Sequence, residues 1–449
     1  MIDYWMLTSV FIGVAVLLLL ILVVRLQAFI AMLIASILVG ILAGMPPEDI
    51  IKTVQTGMGG TLGYVAIVVG LGAIFGAILE QSGGAQAVAQ SLIRRFGEKR
   101  ASWAMVFTGF FVAIPVFFDV AFIILIPLVY ALQRRTGKSI LLYAIPLLAG
   151  LAVTHSFIPP TPGPIAIAEI LDVDLGSVIL FGFIVGIPTA IISGPVFGKF
   201  IASKIFIEAP NQIESSDEVL DTSLLRSTIA IVGLPILLIV GNTVVNSSLF
   251  PSGSVSEVFK STMQMVGHPF VALILANLIA LYVLGTRRGV SRAELQKMST
   301  KSLAPAGTII LLTGAGGVFK QVLIDTGTGA MLASWFADKG LSIFLFAFIV
   351  AAIVRVLQGS STVAMITAAG LVSPLMDPES STLLKALTVI TIASGASIMS
   401  HVNDSGFWLV KQYLGLTEKE SFASWTVMTT ILALTSFICV LLLAWLLSV

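Results

Sequence analysis

The segment Ala113-Ile-Pro-Val-Phe-Phe-Asp119-Val-Ala-Phe-Ile-Ile-Leu-Ile-Pro127 lies within a longer apolar run, Trp103–Tyr130, whose only charged residue is Asp119. Placing a charged side chain at the centre of a bilayer costs roughly 2.5–3.5 kcal/mol or more, so such residues are rare and usually functional. A second hydrophobic run, Val354–Met365, is also interrupted by polar residues. Interrupted hydrophobic segments at corresponding places in two halves of a chain indicate the binding site of a secondary transporter.

The composition of the 449 residues is that of a membrane protein. Hydrophobic residues make up 57% of the chain and charged residues 10%, and the mean hydropathy is +1.06. A soluble domain carries about 25% charged residues, so this chain lacks the polar surface to face water on all sides. Because apolar runs long enough to cross a bilayer recur along it, the sequence predicts an all-α polytopic membrane protein.

Composition and motifs also exclude several functions. The net charge of +1 argues against a nucleic-acid partner, and the single cysteine, Cys439, excludes intramolecular disulfides and thiolate metal clusters. The sequence has no Walker motif, no His-x-x-x-His zinc pattern and no Gly-x-Ser-x-Gly elbow. We therefore expect no ATP hydrolysis, no catalytic residues, no metal and no cofactor, and membrane lipid as the surrounding partner.

Basic residues in short loops mark the cytoplasmic side of a membrane protein. Basic clusters occur at 94–100, 134–138 and 287–301, whereas the loops at 48–49 and 377–379 are acidic. The first two clusters flank a hydrophobic segment of about 30 residues, where two full crossings need about 40. This predicts a re-entrant helical hairpin whose tip lies near Asp119, since non-helical backbone at membrane depth is tolerated where it lines a cavity.

The remaining hydrophobic runs divide the chain into two halves, each with about five spans plus one re-entrant hairpin. The first half, 1–206, has its hairpin near 101–132; a cytoplasmic linker, 207–227, follows; the second half, 228–449, has its hairpin near 341–376. Because five is odd, the two halves are predicted to be inverted repeats, with both termini outside. The predicted spans are Leu7–Val24, Ala28–Gly44, Leu62–Leu79, Ile140–Leu171, Val178–Phe200, Thr228–Phe250, Pro269–Gly285, Leu303–Leu323, Leu384–Val410 and Trp425–Leu447.

Similar residues recur in the two halves. Gly72–Gly83 parallels Gly316–Gly327, and Thr154-His155-Ser156 parallels Ser400-His401-Val402. Apolar helices can resemble each other by chance, but two matches centred on histidine occur here in the same order. The parallels therefore favour an internal repeat.

Four polar interruptions at predicted membrane depth are the candidate site. One of them, Thr154–Pro164, has four prolines within six residues and cannot be continuous helix. A helix that restarts there presents its positive N-terminus to carboxylates, and the freed carbonyls and neighbouring hydroxyls can bind cations or substrate. The interruptions are Asp119 with its neighbours, Thr154–Pro164, Gln358–Thr362 and Ser400–Gly406.

Proton coupling requires a group whose protonation changes during transport. Asp119, His155, His401 and Asp404 are the candidates, and Asp119 is the first choice because it lies nearest the predicted hairpin tip. Either aspartate could instead cap a helix, and either histidine could instead make structural hydrogen bonds. Arg355 can bind a carboxylate of the substrate bidentately or form a structural ion pair.

The chain resembles the gluconate permease family in motifs spread over most of its length. The similar segments are Ala152–Pro164, which contains Thr-His-Ser-Phe-Ile-Pro-Pro-Thr-Pro-Gly-Pro, together with Val318–Leu323, Gly359–Ala364 and Ser400–Trp408. The resemblance implies symport of a sugar acid such as gluconate with protons, across the inner membrane of a bacterial cell. It also implies a homodimer that moves by an elevator mechanism.

The interruptions and this resemblance together give the predicted site. Two positions depart from the family pattern: Thr161 stands where many members carry histidine, and Asp119 where many carry glutamate. Fructuronate, glycerate and D-serine are therefore also candidate substrates, and sodium coupling and an uncoupled channel or sensor are competing hypotheses for the mechanism. The predicted substrate-binding residues are Thr154, His155, Ser156, Thr161, Gly163, Arg355, Gly359, Ser360, Ser361, Thr362, His401 and Asn403.

Overall fold

The computed structural model describes residues 4–210, 222–246, 256–328, 331, 342–377, 379–402 and 404–448. These residues form helices and connecting turns, without a β-strand among them. Several predictions lie wholly or partly outside the described residues: Asn403, most of the linker, the end of the span Thr228–Phe250, and the first residue of the second hairpin segment, Leu341.

Helices of 4 to 35 residues follow one another along the chain. The helices before the predicted linker are α1 (Tyr4–Leu22), α2 (Ala28–Leu42), α3 (Pro47–Gln81), α4 (Gly84–Phe96), α5 (Ala101–Val112), α6 (Phe118–Thr136), α7 (Leu141–Phe157), α8 (Pro162–Ile170), α9 (Leu175–Ile191) and α10 (Phe197–Lys204). The described helices after it are α11 (Thr222–Val245), α12 (Glu257–Val266), α13 (Pro269–Ala280), α14 (Arg292–Asp325), α15 (Ile343–Gln358), α16 (Ser361–Val372), α17 (Thr382–Gly395), α18 (Ser405–Leu414), α19 (Glu418–Ser421) and α20 (Val427–Leu446).

Seven helical stretches among the described residues are long and apolar enough to cross a membrane. This number indicates a multi-pass membrane protein, as the sequence predicts. Some stretches join two helices through a short turn or a π-helical turn. The seven stretches are Pro47–Gln81, Leu141–Ile170, Leu175–Lys204, Thr222–Val245, Pro269–Arg288, Arg292–Asp325 and Glu418–Leu446.

The two longest helices, α3 and α14, extend well beyond the predicted spans Leu62–Leu79 and Leu303–Leu323. The extension of α14 begins with a capping box in which Ser291 and Glu294 satisfy each other's backbone N–H groups. The two helices pack along each other. Small residues lie at the contact: a Cβ on Gly57 would come within 2.8 Å of the Gly317 carbonyl oxygen, as is typical where membrane helices approach closely.

Two amphipathic helices, α4 and α12, lie outside the predicted spans. Helix α4 buries its N-terminal half and ends in the basic pair Arg94 and Arg95. It packs against α5 and α11. Its sequence lacks a long apolar run, so hydrophobicity alone does not predict α4 as a membrane span.

The chain leaves the helical conformation at the four predicted interruptions. Residues 113–117 separate α5 from α6, and residues 359–360 separate α15 from α16. Residues 158–161 separate α7 from α8, and the described residues 396–402 and 404 separate α17 from α18. Helix α5 packs on α7 and helix α15 packs on α17, which brings each hairpin beside a broken helix.

Candidate functional site

A cavity of about 500 Å³ lies where the four interruptions meet. Its walls come from both halves of the chain, and Ile309 of the long helix α14 also contributes. The residues that line it are Phe117, Phe118, Asp119, Ala152, His155, Ser156, Pro162, Ile309, Arg355, Gln358, Gly359, Ser360, Ser361, Thr362, Ser397, Asp404, Ser405, Gly406, Trp425, Thr429 and Leu432.

Four helices begin at this cavity. Phe118 starts α6, Pro162 starts α8, Ser361 starts α16 and Ser405 starts α18, and all four residues line the walls. The first turn of a helix has backbone N–H groups without intrahelical partners and carries partial positive charge. At α18 the Asp404 carboxylate accepts one of these N–H groups, and at α8 Pro162 and Pro164 have none, so the starts of α6 and α16 are those that favour a ligand with a carboxylate or another anionic group.

Asp119 lies in the first turn of α6, at the cavity wall. It is an exposed residue, while its neighbours Ala121 and Phe122 are buried in the core. The sequence suggests a carboxylate surrounded by hydrocarbon, but the fold places Asp119 at a cavity with both polar and apolar walls, beside a helix N-terminus. Both features lower the free energy of keeping a carboxylate there.

Arg355 and Asp404 form an ion pair between the second hairpin and the break before α18. Arg355 is 5% exposed and Asp404 13% exposed. The guanidinium also donates to the carbonyl of Gly359, and the Asp404 carboxylate accepts from the backbone N–H of Gly406 at 3.0 Å and from the Ser400 hydroxyl. Asp404 thus caps α18 and neutralises Arg355, so the predicted ion pair of Arg355 and the predicted helix cap occur together.

Three buried polar atoms at the cavity have no hydrogen-bond partner among the described residues. They are His155 Nδ1, Arg355 Nε and Ser361 Oγ. Leaving a buried polar atom without a partner costs about 1–3 kcal/mol, so buried polar atoms are nearly always satisfied in folded proteins. Six further atoms of this kind among the described residues lie outside the cavity lining, whereas these three belong to residues of its wall, where a polar ligand or water can complete them.

The structure brings most of the predicted residues to this cavity. The Ser156 hydroxyl, on α7, accepts from the Ser397 hydroxyl at 3.0 Å, which links the two broken helices across it. The predicted residues among the lining are Asp119, His155, Ser156, Arg355, Gly359, Ser360, Ser361, Thr362 and Asp404.

Four more of the predicted residues lie outside the described lining. The Thr154 hydroxyl donates to the Phe110 carbonyl and the Thr161 hydroxyl to the Ile158 carbonyl, each at 2.8 Å. Gly163 lies against Met365, whose sulfur would be 2.5 Å from an added Cβ. His401 Nε2 lies 2.8 Å from the Val356 carbonyl oxygen. In this structure the contacts of these four residues stabilise the breaks. For His401, this is the structural hydrogen bond that the sequence allows as the alternative to a role in proton coupling.

Sequence reasoning missed three polar residues of the cavity wall. Ser397 lies just after α17, and Trp425 and Thr429 lie at the start of the last membrane stretch. The sequence predicts Trp425 and Thr429 only as part of the span Trp425–Leu447. Their spacing of four residues places them on one face of a helix, but nothing in the local sequence identifies the partner of that face.

The chain matches a protein family and curated relatives over nearly its whole length. The profile described as GntP family permease matches residues 5–446. A gluconate permease of Pseudomonas aeruginosa is 40% identical over 446 residues, which cover 98% of each chain. A low-affinity gluconate transporter of Escherichia coli K12 is 40% identical over 425 residues, which cover 94% of each chain.

A solved structure has a similar fold. The crystal structure of the Alcanivorax borkumensis YdaH transporter aligns with a TM-score of 0.64, covering 92% of this chain and 96% of that one. The sequences are 15% identical. The likeness therefore concerns the fold alone.

Proposed function

Since the chain belongs to the GntP permease family, and is thus a multi-pass membrane transporter and not an enzyme, we propose that it imports gluconate or a related sugar acid by proton symport. The membrane would be the inner membrane of a bacterial cell. The observation that carries the proposal is the convergence of four helix N-termini and three unpartnered polar atoms on one cavity.

A sugar acid matches this cavity in two respects. Its carboxylate is an anion, which helix N-termini attract. Its hydroxyls are both donors and acceptors, which can pair with His155 Nδ1, Arg355 Nε and Ser361 Oγ. Because both hairpins and both broken helices contribute to the wall, such a ligand would contact both halves of the chain at once.

The charges around the cavity suggest how a proton is coupled to the substrate. Arg355 and Asp404 neutralise each other, so an ionised Asp119 leaves the site with one net negative charge from these three residues. A substrate carboxylate entering the cavity meets that charge, and protonation of Asp119 removes the repulsion. Proton and anion therefore bind together, and each raises the affinity for the other by the same factor.

The remaining proton candidates have partners that restrict such a role. Asp404 is held by Arg355, Ser400 and Gly406, and His401 lies at hydrogen-bond distance from the Val356 carbonyl. His155 lines the cavity and faces Phe117, so it is better suited to contact the substrate. Among the titratable groups around the cavity, Asp119 is our choice for the proton.

One contact favours protons over sodium. A sodium site at the second hairpin would use backbone carbonyls and hydroxyls as hard oxygen ligands. The Gly359 carbonyl at that hairpin accepts a hydrogen bond from the Arg355 guanidinium. A resident cationic side chain thus occupies a position that a coupling ion would need.

At the level of the whole chain we propose two inverted repeats, 1–206 and 228–449, joined by a cytoplasmic linker. In each repeat a hairpin packs beside a broken helix: α5 on α7 in the first, α15 on α17 in the second. Opposed hairpins that share one cavity suit alternating access by an elevator movement. A homodimer is expected from the family resemblance.

Uptake by purified protein in liposomes tests this function. Labelled gluconate is supplied with an inward proton gradient and no sodium, and unlabelled fructuronate, galactonate, glycerate and D-serine are added as competitors. We expect accumulation above equilibrium that collapses with a protonophore, and the strongest competitor identifies the substrate class. Equilibration without accumulation would indicate a channel, and uptake restored only by sodium would contradict proton coupling.

A further inference from the structure

Trp425 touches two of the helix breaks at once. It belongs to the π-helical turn Phe422–Thr426, is 4% exposed and lines the cavity. Its ring lies against Phe118, with centroids 5.5 Å apart, next to Asp119 at the start of α6. π-Helical turns are rare and frequently occur at functional sites.

The helical segment that contains Trp425 also holds Ser400, a residue of the break before α18. The indole Nε1–H of Trp425 donates to the Ser400 hydroxyl oxygen at 2.6 Å. The backbone N–H of Ser400 donates to the Thr429 hydroxyl at 3.1 Å, and the Thr426 hydroxyl donates to the Ser400 carbonyl. The backbone and the side chain of Ser400 are thus fixed by a single helix.

These contacts determine which group the Ser400 hydroxyl accepts from and which group it donates to. An indole N–H can only donate, so the Ser400 oxygen accepts from Trp425 and its single proton is left for another acceptor. That acceptor is Asp404 Oδ2, the same oxygen that receives the Arg355 guanidinium. Hydrogen bonds in such a chain polarise and strengthen one another.

We propose that Trp425 is a positioning residue of the cavity. Acting through Ser400, it holds the Asp404 carboxylate on Arg355 and so fixes the guanidinium, whose Nε is unpartnered at the cavity wall. We call the hydrogen-bond chain from Trp425 through Ser400 to Asp404 the relay. Without the relay, Ser400 rotates and the Arg355–Asp404 ion pair loosens, so a ligand must order Arg355 as it binds. Testing this proposal through the KM for gluconate rests on the proposed function, the transport of gluconate.

Two substitutions remove the relay at different points, and two more serve as controls. Trp425→Phe keeps an aromatic ring against Phe118 but removes the donor, and Ser400→Ala removes the hydroxyl. Ser400→Thr keeps the hydroxyl. Trp408→Phe is the matched control, because the Trp408 indole donates to the Val402 carbonyl at 2.7 Å in the same break, but it is 43% exposed and lies outside the described cavity lining.

The measurement is proton-driven gluconate uptake in liposomes for these four variants and for the double variant Trp425→Phe/Ser400→Ala. We expect each relay variant to raise KM about five-fold with little change in maximal rate, which is the effect of one hydrogen bond. The double variant is also expected near five-fold, because both changes break one chain. Ser400→Thr and Trp408→Phe are expected to stay within about two-fold of wild type.

If KM of the double variant rose about 25-fold, the product of two independent five-fold effects, the relay would be refuted. So would a Trp425→Phe protein with wild-type KM, or a Trp408→Phe effect as large as that of Trp425→Phe, which would mean that only stiffness of the break matters. If the wild-type protein takes up no gluconate, the proposed function fails on its own. The relay is then judged by the thermal unfolding temperatures of the same variants, where non-additive shifts support it and additive shifts refute it.

Discussion

At the scale of single residues, the cavity contains two carboxylates with different surroundings. Asp404 has a guanidinium, a hydroxyl and a backbone N–H as partners, so its negative charge is part of the structure. Asp119 is exposed at the wall, beside the start of α6. This difference supports the proposal that Asp404 has a structural role and that Asp119 exchanges protons.

Asp119→Asn tests that assignment. The variant keeps the size of the side chain but cannot change its charge, so we expect gluconate binding without coupling. The apparent affinity of the wild type for gluconate should change about five-fold or more between acidic and alkaline pH, and that of the variant by less than about two-fold. The measurement is equilibrium binding of labelled gluconate to purified protein across pH.

The control for this variant is Asp377→Asn, which removes an exposed aspartate in the loop after α16. It should retain both the pH dependence and the accumulation of gluconate in liposomes. An Asp119→Asn protein that transports at the wild-type rate with the wild-type pH dependence would refute the assignment.

At the scale of helices, glycine sets the distance between α5 and α7. A Cβ on Gly150 would collide with the Val106 carbonyl and lie 2.6 Å from the Phe110 backbone nitrogen, and a Cβ on Gly109 would collide with the Leu147 carbonyl. The two backbones therefore touch where the first hairpin meets the first broken helix. This contact places the break at residues 113–117 close to His155.

Gly150→Ala should push these helices apart. Overpacking of a tight contact costs about 1–3 kcal/mol, so we expect a lower thermal unfolding temperature in detergent and slower uptake, because the hairpin shifts relative to α7. Gly63→Ala is the control, since a Cβ on that α3 glycine meets nothing within 4 Å. An unfolding temperature for Gly150→Ala equal to that of Gly63→Ala would show that the contact has room for a methyl group.

At the scale of the whole molecule, the proposed inverted repeat makes a definite prediction about sidedness. Glu48 lies in the first turn of α3, and Arg292 lies in the first turn of α14, the proposed counterpart of α3 in the second half. Arg135 near the end of α6 and Asp377 after α16 form the second proposed pair. If the halves are inverted, the members of each pair face opposite sides of the membrane. The distribution of basic residues assigns Glu48 and Asp377 to the outside and Arg135 and Arg292 to the cytoplasm.

Single cysteines at these four positions, in a Cys439→Ser background, test the sidedness. We expect an impermeant maleimide to label Glu48→Cys and Asp377→Cys in intact cells, and Arg135→Cys and Arg292→Cys only after the membrane is opened. All four residues are exposed, so a failure to label reports the side of the membrane. Labelling of both members of a pair from the same side would contradict the inverted repeat.

The sequence alone determined the class of protein and the places where its helices break. Low charge content specifies a membrane protein because too little polar surface exists for water. The prolines of Pro159–Pro164 prevent one continuous helix through Thr154–Pro164, because proline lacks a backbone donor. It also singled out Asp119, Arg355 and Asp404, since polar groups are rare in apolar runs. These features depend on local composition, which can be read without knowing what packs against it.

The tertiary structure decided which polar side chains meet. His155 lines the cavity while the adjacent Thr154 bonds to α5, because neighbouring residues on a helix point in different directions and packing selects the inward face. Arg355 and Asp404 are 49 positions apart, and the partners of Trp425 come from α6 and from the break before α18. Such contacts depend on the relative placement of whole helices, which local periodicity does not specify.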